Sequence, residues 1–240
     1  MEIKEFVDTI TRTSETFPAS IFDQTGKVYT CVNPYSYHIV KANPEVYRRM
    51  DGLLVDGMLM CKLINRLWHR NIPRLSFDMA GMAPALFSRL NAPDSSETIY
   101  LIGARQEAIE GTVSQIRNTY PNMKITGYRN GYFNSQKERK AVIDEIVRLK
   151  PDFTLVGMGS PLQENFIADL RDSGYMGIGF TCGGFLHQTA QRMNYYPDWI
   201  NKYNLRAFYR LYKEKGLFKR LYNVLIQFPI LFTIDTIKAR

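Results

Sequence analysis

The chain has 240 residues, 45% of them hydrophobic and 22% charged, and a net charge of +8 at neutral pH. This length supports one large domain, alone or with an appendage, and the composition is ordinary for a soluble globular protein. Three cysteines, Cys31, Cys61 and Cys182, lack paired or metal-type spacing, which argues against a disulfide framework and for a reducing compartment. No run reaches the roughly 20 apolar residues that span a bilayer, and Met1 to Phe6 does not resemble a secretory signal.

The first part of the chain predicts strands and helices separated by clear turns. Residues 1–26 read as a polar lead-in of helix or loop. The elements predicted next are strands at Lys27–Val32 and Leu53–Val55, helices at Tyr35–Met50, Met58–Trp68 and about Met79–Leu90, and a turn cluster at Asn91–Ser96.

Strands and helices alternate regularly after that cluster. The strands are Thr98–Ile102, Lys124–Thr126, Phe153–Val156 and Gly177–Cys182, and the helices between them are Gln106–Thr119, Gln136–Leu149 and Asn165–Arg171. Such alternation predicts an α/β fold with a Rossmann-like, mostly parallel sheet covered by helices on both faces. Ligands bind such sheets beyond the carboxyl ends of the strands. The residues predicted at that edge are Asn33, Asp56, Gly103, Gly127, Gly157 and Gly183.

The stretch after the strand Phe153–Val156 is typical of an anion site. Gly157 and Gly159 permit a tight turn, Ser160 suits an N-cap, and Pro161 suits the first position of a helix. The N–H groups and positive dipole end of that helix favour an anionic ligand. A purely structural turn explains the same pattern about as well.

The last forty residues differ from the rest in charge. From Lys202 to Arg240 there are nine Lys or Arg against Glu214 and Asp235, so this segment carries +7 and the preceding residues +1. We therefore predict an α/β domain at residues 1–200 and a basic helical appendage at 201–240. Helices are predicted at Trp199–Tyr212 and Leu217–Gln227, and the apolar run Val224–Ile234 is long enough to lie in a membrane surface but not to cross it.

Six motifs in this order resemble the WecG/TagA/CpsF family of bacterial glycosyltransferases (glycosyltransferase family 26). They are Val55-Asp-Gly57, Tyr120-Pro, Gly127, Asn130-Gly-Tyr-Phe133, Val156-Gly-Met-Gly-Ser-Pro-Leu-Gln-Glu164, and the basic segment Leu205–Tyr222. The similarity extends from about Asn33 to Tyr222.

The resemblance implies an inverting transfer of an N-acetylmannosamine-type or related sugar. The donor would be a UDP-sugar, and the acceptor a sugar linked to polyprenyl diphosphate, in the synthesis of surface polysaccharide or teichoic acid. The protein would then be cytoplasmic and peripheral on the inner face of the cell membrane, held there by its appendage, with its oligomeric state left open. The chain departs from the family pattern at four places, which bear on the donor sugar: Leu162, Leu186-His187, Tyr195-Tyr-Pro197, and the short segment Arg74–Asp78.

Inverting glycosyl transfer needs a base for the acceptor hydroxyl. Asp78 resembles the Asp proposed as base in the family; its alternative role is to cap the helix beginning near Met79. Asp56 and Gly57 are candidates for shaping the pocket or binding a ribose or sugar hydroxyl, and a capped strand-to-helix turn is the alternative.

Four further residues are candidates for substrate binding. Thr30 and Asn33 end the first strand and are assigned to orienting the acceptor, although Asn33 before Pro34 is also an ordinary turn residue. Gln163 is assigned to the donor, with exposed helix surface as the alternative. His187 replaces a family Asp and is assigned to the donor or the base, although a lone His is more often structural.

The chain has no Asp-x-Asp motif, so no metal and no cofactor are expected, and cations must stabilise the leaving diphosphate. Arg210 and Arg220 are the candidates, because guanidinium pairs bidentately with phosphate oxygens. Contact with membrane or solvent is the alternative for each.

Two functions of other classes are alternatives. A nucleotide-dependent oxidoreductase is disfavoured because Gly157-Met-Gly159 lacks the third glycine and the distant acidic residue of the dinucleotide fingerprint. A non-enzymatic basic module for membranes or nucleic acid is disfavoured because the charge lies on the tail; no nucleic-acid partner is expected.

Overall fold

A computed structural model describes residues 1–16, 21–194, 197, 199–200, 209 and 221–239. Its centre is a six-stranded sheet in the order β2-β1-β6-β5-β3-β4, and every neighbouring pair is parallel. The strands are β1 Val28–Val32, β2 Gly52–Val55, β3 Thr98–Gly103, β4 Lys124–Arg129, β5 Phe153–Gly157 and β6 Ile178–Thr181. Because all strands run the same way, the residues at their carboxyl ends meet along one edge, as the sequence predicts. Gly127 is the exception: β4 continues to Arg129, so Gly127 lies within the strand, paired with Tyr100, and not at the edge.

Helices cover both faces of this sheet. In chain order they are α1 Ile3–Thr16, α2 Tyr37–Ala42, α3 Pro44–Arg48, α4 Met58–Trp68, α5 Ala83–Leu90, α6 Gln106–Thr119, α7 Gln136–Leu149, α8 Leu162–Asp172, α9 Phe185–Gln191 and α10 Phe228–Lys238, with a π-helical turn at Asn223–Gln227 before α10. The predicted α/β, Rossmann-like fold class is confirmed.

Alternate strand residues divide the core into two layers. Val28 and Val32 of β1 pack with α1, α2, α4, α7, α8 and α10, whereas Tyr29 packs with α5, α6 and α9. Period-two side-chain alternation therefore sends neighbouring residues of one strand to opposite layers. Thr30 and Cys31 consequently face opposite sides of the sheet at the end of β1, where the candidate site begins.

In the first half of the chain, three helical predictions differ from the structure. The polar lead-in contains α1, whose buried face includes Phe6, Val7 and Ile10. The helix predicted at Tyr35–Met50 is two short helices, because Asn43 precedes a proline and leaves helical geometry, with φ −131° and ψ 52°. The helix predicted from Met79 begins instead at Ala83, after a turn in which Gly81 N donates to Asp78 O.

The described part of the C-terminal segment packs on the core. Phe228 and Phe232 of α10 are buried against the ring of Tyr37, with centroids 5.5 and 5.4 Å away. Asp235 accepts from Tyr37 Oη at 2.8 Å and from Lys41 Nζ at 2.6 Å. The helix predicted at Trp199–Tyr212 lies mostly outside the described residues. Of the helix predicted at Leu217–Gln227, residues 221–227 are described and are helical, and the division at residue 200 remains a prediction.

Candidate active site

The turns after β1 and β2 lie side by side at the carboxyl edge of the sheet. Asp56 N donates to Val32 O at 2.8 Å, and Asn33 Oδ1 accepts from Ser36 N at 3.0 Å, which closes the turn after β1. Gly57 has φ +118°, a conformation that side chains disfavour. The structure therefore brings three predicted residues, Asn33, Asp56 and Gly57, to one place.

Arg74 joins two of the predicted carboxylates. Its Nε and Nη2 donate to Asp56 Oδ1 at 3.2 and 2.9 Å, and Nη2 also donates to Asp78 Oδ2 at 2.7 Å. Leu75 N donates to Val55 O at 2.8 Å, which holds this loop against the end of β2. We call Asp56, Arg74 and Asp78 the acidic cluster.

The two carboxylates of the acidic cluster differ in how their oxygens are used. Asp78 also accepts from Ser76 Oγ at 3.0 Å and from Ala80 N at 2.8 Å, and its side chain is 18% exposed. Asp56 is 39% exposed, and no described residue donates to its Oδ2. Asp78 therefore closes a turn and does not cap the helix as in its predicted alternative role, because α5 begins only at Ala83 with Met82 at its N-cap position.

The cluster also shapes the charges around it. Burial disfavours a charge on Arg74, but the carboxylates of Asp56 and Asp78 outweigh burial and raise the pKa of Arg74. Arg74 therefore stays cationic and can neutralise one of its two partners. On the neighbouring strand, burial and then the charge of Asp56 raise the pKa of the Cys31 thiol, so Cys31 stays protonated.

A second group forms where β5 and β6 end. Gly157 has no room for a side chain, because a Cβ there would lie 2.9 Å from Gly183 O and 3.0 Å from Leu186 Cδ1. Gly159 lies on the exposed side of the turn, with open space where a side chain would begin. The two glycine turns, 157–161 and 182–184, are therefore in direct contact.

Two predicted contacts to substrate are engaged within the protein instead. Thr30 is fully buried, and its hydroxyl lies 2.8 Å from Glu164 Oε1 and 2.7 Å from Thr181 Oγ1. Gln163 is buried too: its Oε1 accepts from Gly183 N at 3.2 Å, and its Nε2 donates to Glu164 Oε1 at 2.9 Å. Both residues can act on a substrate only through the groups they hold.

Ser160 and Pro161 differ from their predicted roles at the helix start. The helix α8 begins at Leu162, three residues before the predicted range Asn165–Arg171. Pro161 therefore occupies the N-cap position instead of the first position of the helix. Ser160 Oγ does not cap the helix but donates to Glu164 Oε1 at 2.9 Å. The turn is therefore tied to a buried carboxylate.

The remaining predicted residues have separate locations. His187 is exposed on the first turn of α9, and Arg210 and Arg220 lie outside the described residues. Within the described ranges, no group of three or more His, Cys, Asp or Glu is placed to hold a metal ion, and no helix is both long and apolar enough to cross a membrane. The expectation of a metal-free reaction stays a prediction.

Sequence reasoning did not assign a role to Arg74 or Glu164. Arg74 stands four residues before Asp78, and Glu164 directly follows Gln163 in the glycine-turn motif. Both residues are therefore close in sequence to predicted site residues. No local signal shows that Arg74 bridges two loops or that Glu164 faces inward, because both facts depend on tertiary packing.

The sheet is all-parallel, and it carries a carboxylate cluster and two glycine turns along its carboxyl edge. This arrangement is typical of α/β enzymes that bind their ligands beyond the carboxyl ends of the strands. The sequence profile of the glycosyl transferase WecG/TagA/CpsF family matches residues 4–240, and the chain belongs to this family. It is therefore a glycosyltransferase, and the resemblance read from the motifs is confirmed.

Two curated relatives are similar over most of their length. The UDP-Gal:alpha-D-GlcNAc-diphosphoundecaprenol beta-1,4-galactosyltransferase of Shigella boydii is 36% identical over 195 residues, which cover 81% of this chain and 81% of the relative. The N-acetylglucosaminyldiphosphoundecaprenol N-acetyl-beta-D-mannosaminyltransferase of Bacillus subtilis (strain 168) is 31% identical over 212 residues, which cover 85% of this chain and 78% of the relative. Membership in this family therefore favours glycosyl transfer over the oxidoreductase and the non-enzymatic module.

Proposed function

We propose that this enzyme moves a hexose from a UDP-sugar to an N-acetylglucosamine-type sugar carried on a polyprenyl diphosphate, in bacterial surface polysaccharide or teichoic acid synthesis. Both relatives bear names that specify such an acceptor. The observation that carries the proposal is the acidic cluster at one end of the strands, together with two glycine turns that contact each other at the same edge of the sheet. A base and a nucleotide site at one edge are what the transfer requires.

Inversion follows from the linkage in the relatives' names. Both names specify a β product, and a β product forms from an α-linked nucleotide sugar by displacement from the opposite face. The acceptor hydroxyl oxygen attacks the anomeric carbon, a carboxylate takes the hydroxyl proton, and UDP leaves with the electron pair of the broken bond. The protein supplies alignment, the base and charge neutralisation.

Asp56 is the better-placed base of the two carboxylates. Asp78, the base predicted from the resemblance, already accepts from Arg74, Ser76 and Ala80, and it holds Arg74 in place. Asp56 directs only Oδ1 to Arg74 and is twice as exposed, so Oδ2 can accept a proton from a substrate. We therefore assign Asp56 the proton and keep Asp78 as the competing candidate.

The leaving diphosphate would lie at the glycine turns. Gly159 and Gly183 have open space where a side chain would begin, so a ligand can approach the backbone there. The missing side chain of Gly157 instead lets the two turns pack together. Arg210 and Arg220 would neutralise the developing charge, as the sequence predicts. His187 lies at the outer side of the β6 turn and remains a candidate for the donor sugar.

The membrane contact would be made by the outer face of the C-terminal segment. Leu225, Ile226, Ile230, Ile234 and Ile237 are exposed there, whereas Phe228 and Phe232 face the core. An apolar stripe beside a basic segment favours the interface of an anionic bilayer, where a lipid-linked acceptor resides. The enzyme would thus be peripheral on the cytoplasmic face.

Transfer assays test the reaction and the base together. With a polyprenyl-diphosphate-linked N-acetylglucosamine as acceptor, UDP-galactose and UDP-N-acetylmannosamine are compared as donors. Asp56→Asn should lower turnover by ~10²-fold or more, the usual effect of removing a positioned base. Asp78→Asn should lower turnover less, because that carboxylate serves to hold Arg74 in place.

The opposite pattern would return the base to Asp78. If both variants keep full activity, the acidic cluster is not the catalytic centre. Absence of transfer from either donor, with protein that binds UDP, would contradict the proposed donor sugars.

A further inference from the structure

Glu164 is a buried carboxylate that the proposed chemistry does not use. It lies in the first turn of α8 with 0% of its surface exposed. Its Oε1 accepts from Thr30 Oγ1 at 2.8 Å, Ser160 Oγ at 2.9 Å and Gln163 Nε2 at 2.9 Å. One oxygen thus gathers groups from β1, from the glycine turn and from α8.

The hydrogen-bond network around Glu164 continues to the carboxyl end of β6. Thr30 Oγ1 lies 2.7 Å from Thr181 Oγ1, and Thr181 Oγ1 accepts from Cys31 N at 3.2 Å. Gln163 Oε1 accepts from Gly183 N at 3.2 Å, which connects the turn after β5 with the turn after β6. Glu164 therefore lies at the junction of both glycine turns.

The other oxygen of Glu164 argues against a purely stabilising role. Oε2 is buried and has no hydrogen-bond partner among the described residues, and the same holds for Tyr47 Oη. Burying a carboxylate with one oxygen unpaired is costly, and well-packed apolar side chains often stabilise a core at least as well. We therefore expect Glu164 to contribute to the arrangement of the three groups that donate to its Oε1 more than to the stability of the fold.

Gln163 and Ser160 depend on this geometry for their orientation. With its Nε2 held by Glu164, the Gln163 amide presents Oε1 to Gly183 N. With its Oγ held, Ser160 fixes the turn that contains Gly159. A change in Glu164 would therefore alter both turns at once, because Gly157 and Gly183 are already in close contact.

We propose that Glu164 is a positioning residue for the donor: by fixing Ser160 and Gln163 it sets the shape of the two glycine turns that receive the UDP diphosphate. This inference rests on the proposed function. It also accounts for the burial of Thr30 and Gln163, which act through Glu164 rather than by touching a substrate.

Steady-state kinetics separates positioning from stability. Glu164→Ala leaves three donors without their acceptor, so donor KM should rise by ~10-fold to ~100-fold, the usual scale of a small misplacement in a site. Acceptor KM should not change, because the acidic cluster is held by different hydrogen bonds. Glu164→Gln keeps an oxygen for the three donors and should bring donor KM back towards the wild-type value.

Thr154→Val is the matched control. Thr154 is fully buried near the start of β5, and its Oγ1 donates to Tyr175 Oη at 3.0 Å. The substitution removes a buried hydrogen bond of the same sheet away from the glycine turns. It should lower the unfolding temperature but leave donor KM unchanged.

Two outcomes would overturn the inference. One is a donor KM in Glu164→Ala equal to that of Thr154→Val, measured where both are folded. The other, if Glu164→Ala does not fold, is an unchanged donor KM in Ser160→Ala, which removes one of the three contacts at a partly exposed position.

Calorimetry with UDP separates this inference from the proposed function. Wild-type protein that fails to bind UDP contradicts the proposed function. Wild-type binding that Glu164→Ala retains in full contradicts only the role of Glu164.

Discussion

Asp56 and Glu164 are carboxylates in opposite surroundings. Asp56 lies at the sheet edge with one oxygen on Arg74 and the other open to a substrate. Glu164 lies beneath the glycine turns, where burial raises its pKa despite hydrogen bonds from Gln163, Thr30 and Ser160. The same functional group is thus suited to proton transfer at the edge and to holding geometry inside.

The raised pKa of Glu164 predicts a pH-dependent stability. A carboxyl group whose pKa is higher in the folded state stabilises the fold fully below its unfolded pKa, ordinarily 4.5, and this contribution is lost as pH rises through the folded pKa. Glu164→Gln cannot titrate. The free energy of unfolding of the variant should therefore increase relative to that of wild type as pH rises above the unfolded pKa.

Urea unfolding of both proteins between about pH 4 and about pH 8 measures this difference. Of the groups around Glu164, Thr30, Ser160 and Gln163 do not titrate in this range. Burial and the charge of Glu164 raise the pKa of Tyr47, so Tyr47 does not contribute either. Stability curves that run parallel across the range would show that Glu164 does not change its protonation state there.

At the scale of elements, the strands were predictable and the ends of several helices were not. Local apolar runs bounded by Gly, Pro and Asn set β1, β5 and β6 to within one residue, and α6 and α7 have their predicted bounds. The burial of α1 and the start of α5 depend on tertiary contacts. Asn33 and Asp56 lie at the sheet edge as predicted, because strand order and direction place them there. The link of Asp56 to Asp78 through Arg74, and the inward orientation of Thr30 and Gln163, depend on tertiary packing that the sequence does not show.

Helix α10 combines two faces with different tasks. Its inner face is part of the core through Phe232 and through Thr236, whose Oγ1 accepts from Trp68 Nε1 at 3.1 Å. Its outer face carries the exposed isoleucines. Removing the chain after residue 221 would therefore expose the core as well as remove the membrane contact, so single-face substitutions are the sharper test.

We expect Ile230→Ser combined with Ile237→Ser to weaken binding to anionic vesicles by at least ~10-fold, because each exposed side chain would lose apolar area buried in the interface. The unfolding temperature should change little. Phe232→Ala is the matched control on the inner face and should cost about 3–5 kcal/mol of stability. Sedimentation with vesicles at moderate salt measures binding; retention of the double variant at wild-type level would contradict the membrane contact.

At the scale of the whole molecule, negative and positive charges lie in different parts of the chain. The carboxyl edge of the sheet carries an acidic cluster on one side of β1 and neutral glycine turns on the other, and the positive charge of the chain is concentrated after residue 201. A dianionic diphosphate placed at the neutral turns needs cations from elsewhere. We propose that the basic segment provides them without a metal ion.

This division predicts metal-independent UDP binding that requires the tail arginines. Calorimetry should give the same affinity for UDP with and without EDTA. Arg210→Ala and Arg220→Ala should each weaken binding by ~10-fold or more, because a charge-assisted contact to phosphate contributes roughly 1.5–3 kcal/mol. Lys140→Ala removes an equal charge from an exposed pair with Asp144 on α7 and should have no effect. Loss of binding on chelation would require a metal at the diphosphate, and full affinity in both arginine variants would leave the tail with a surface role alone.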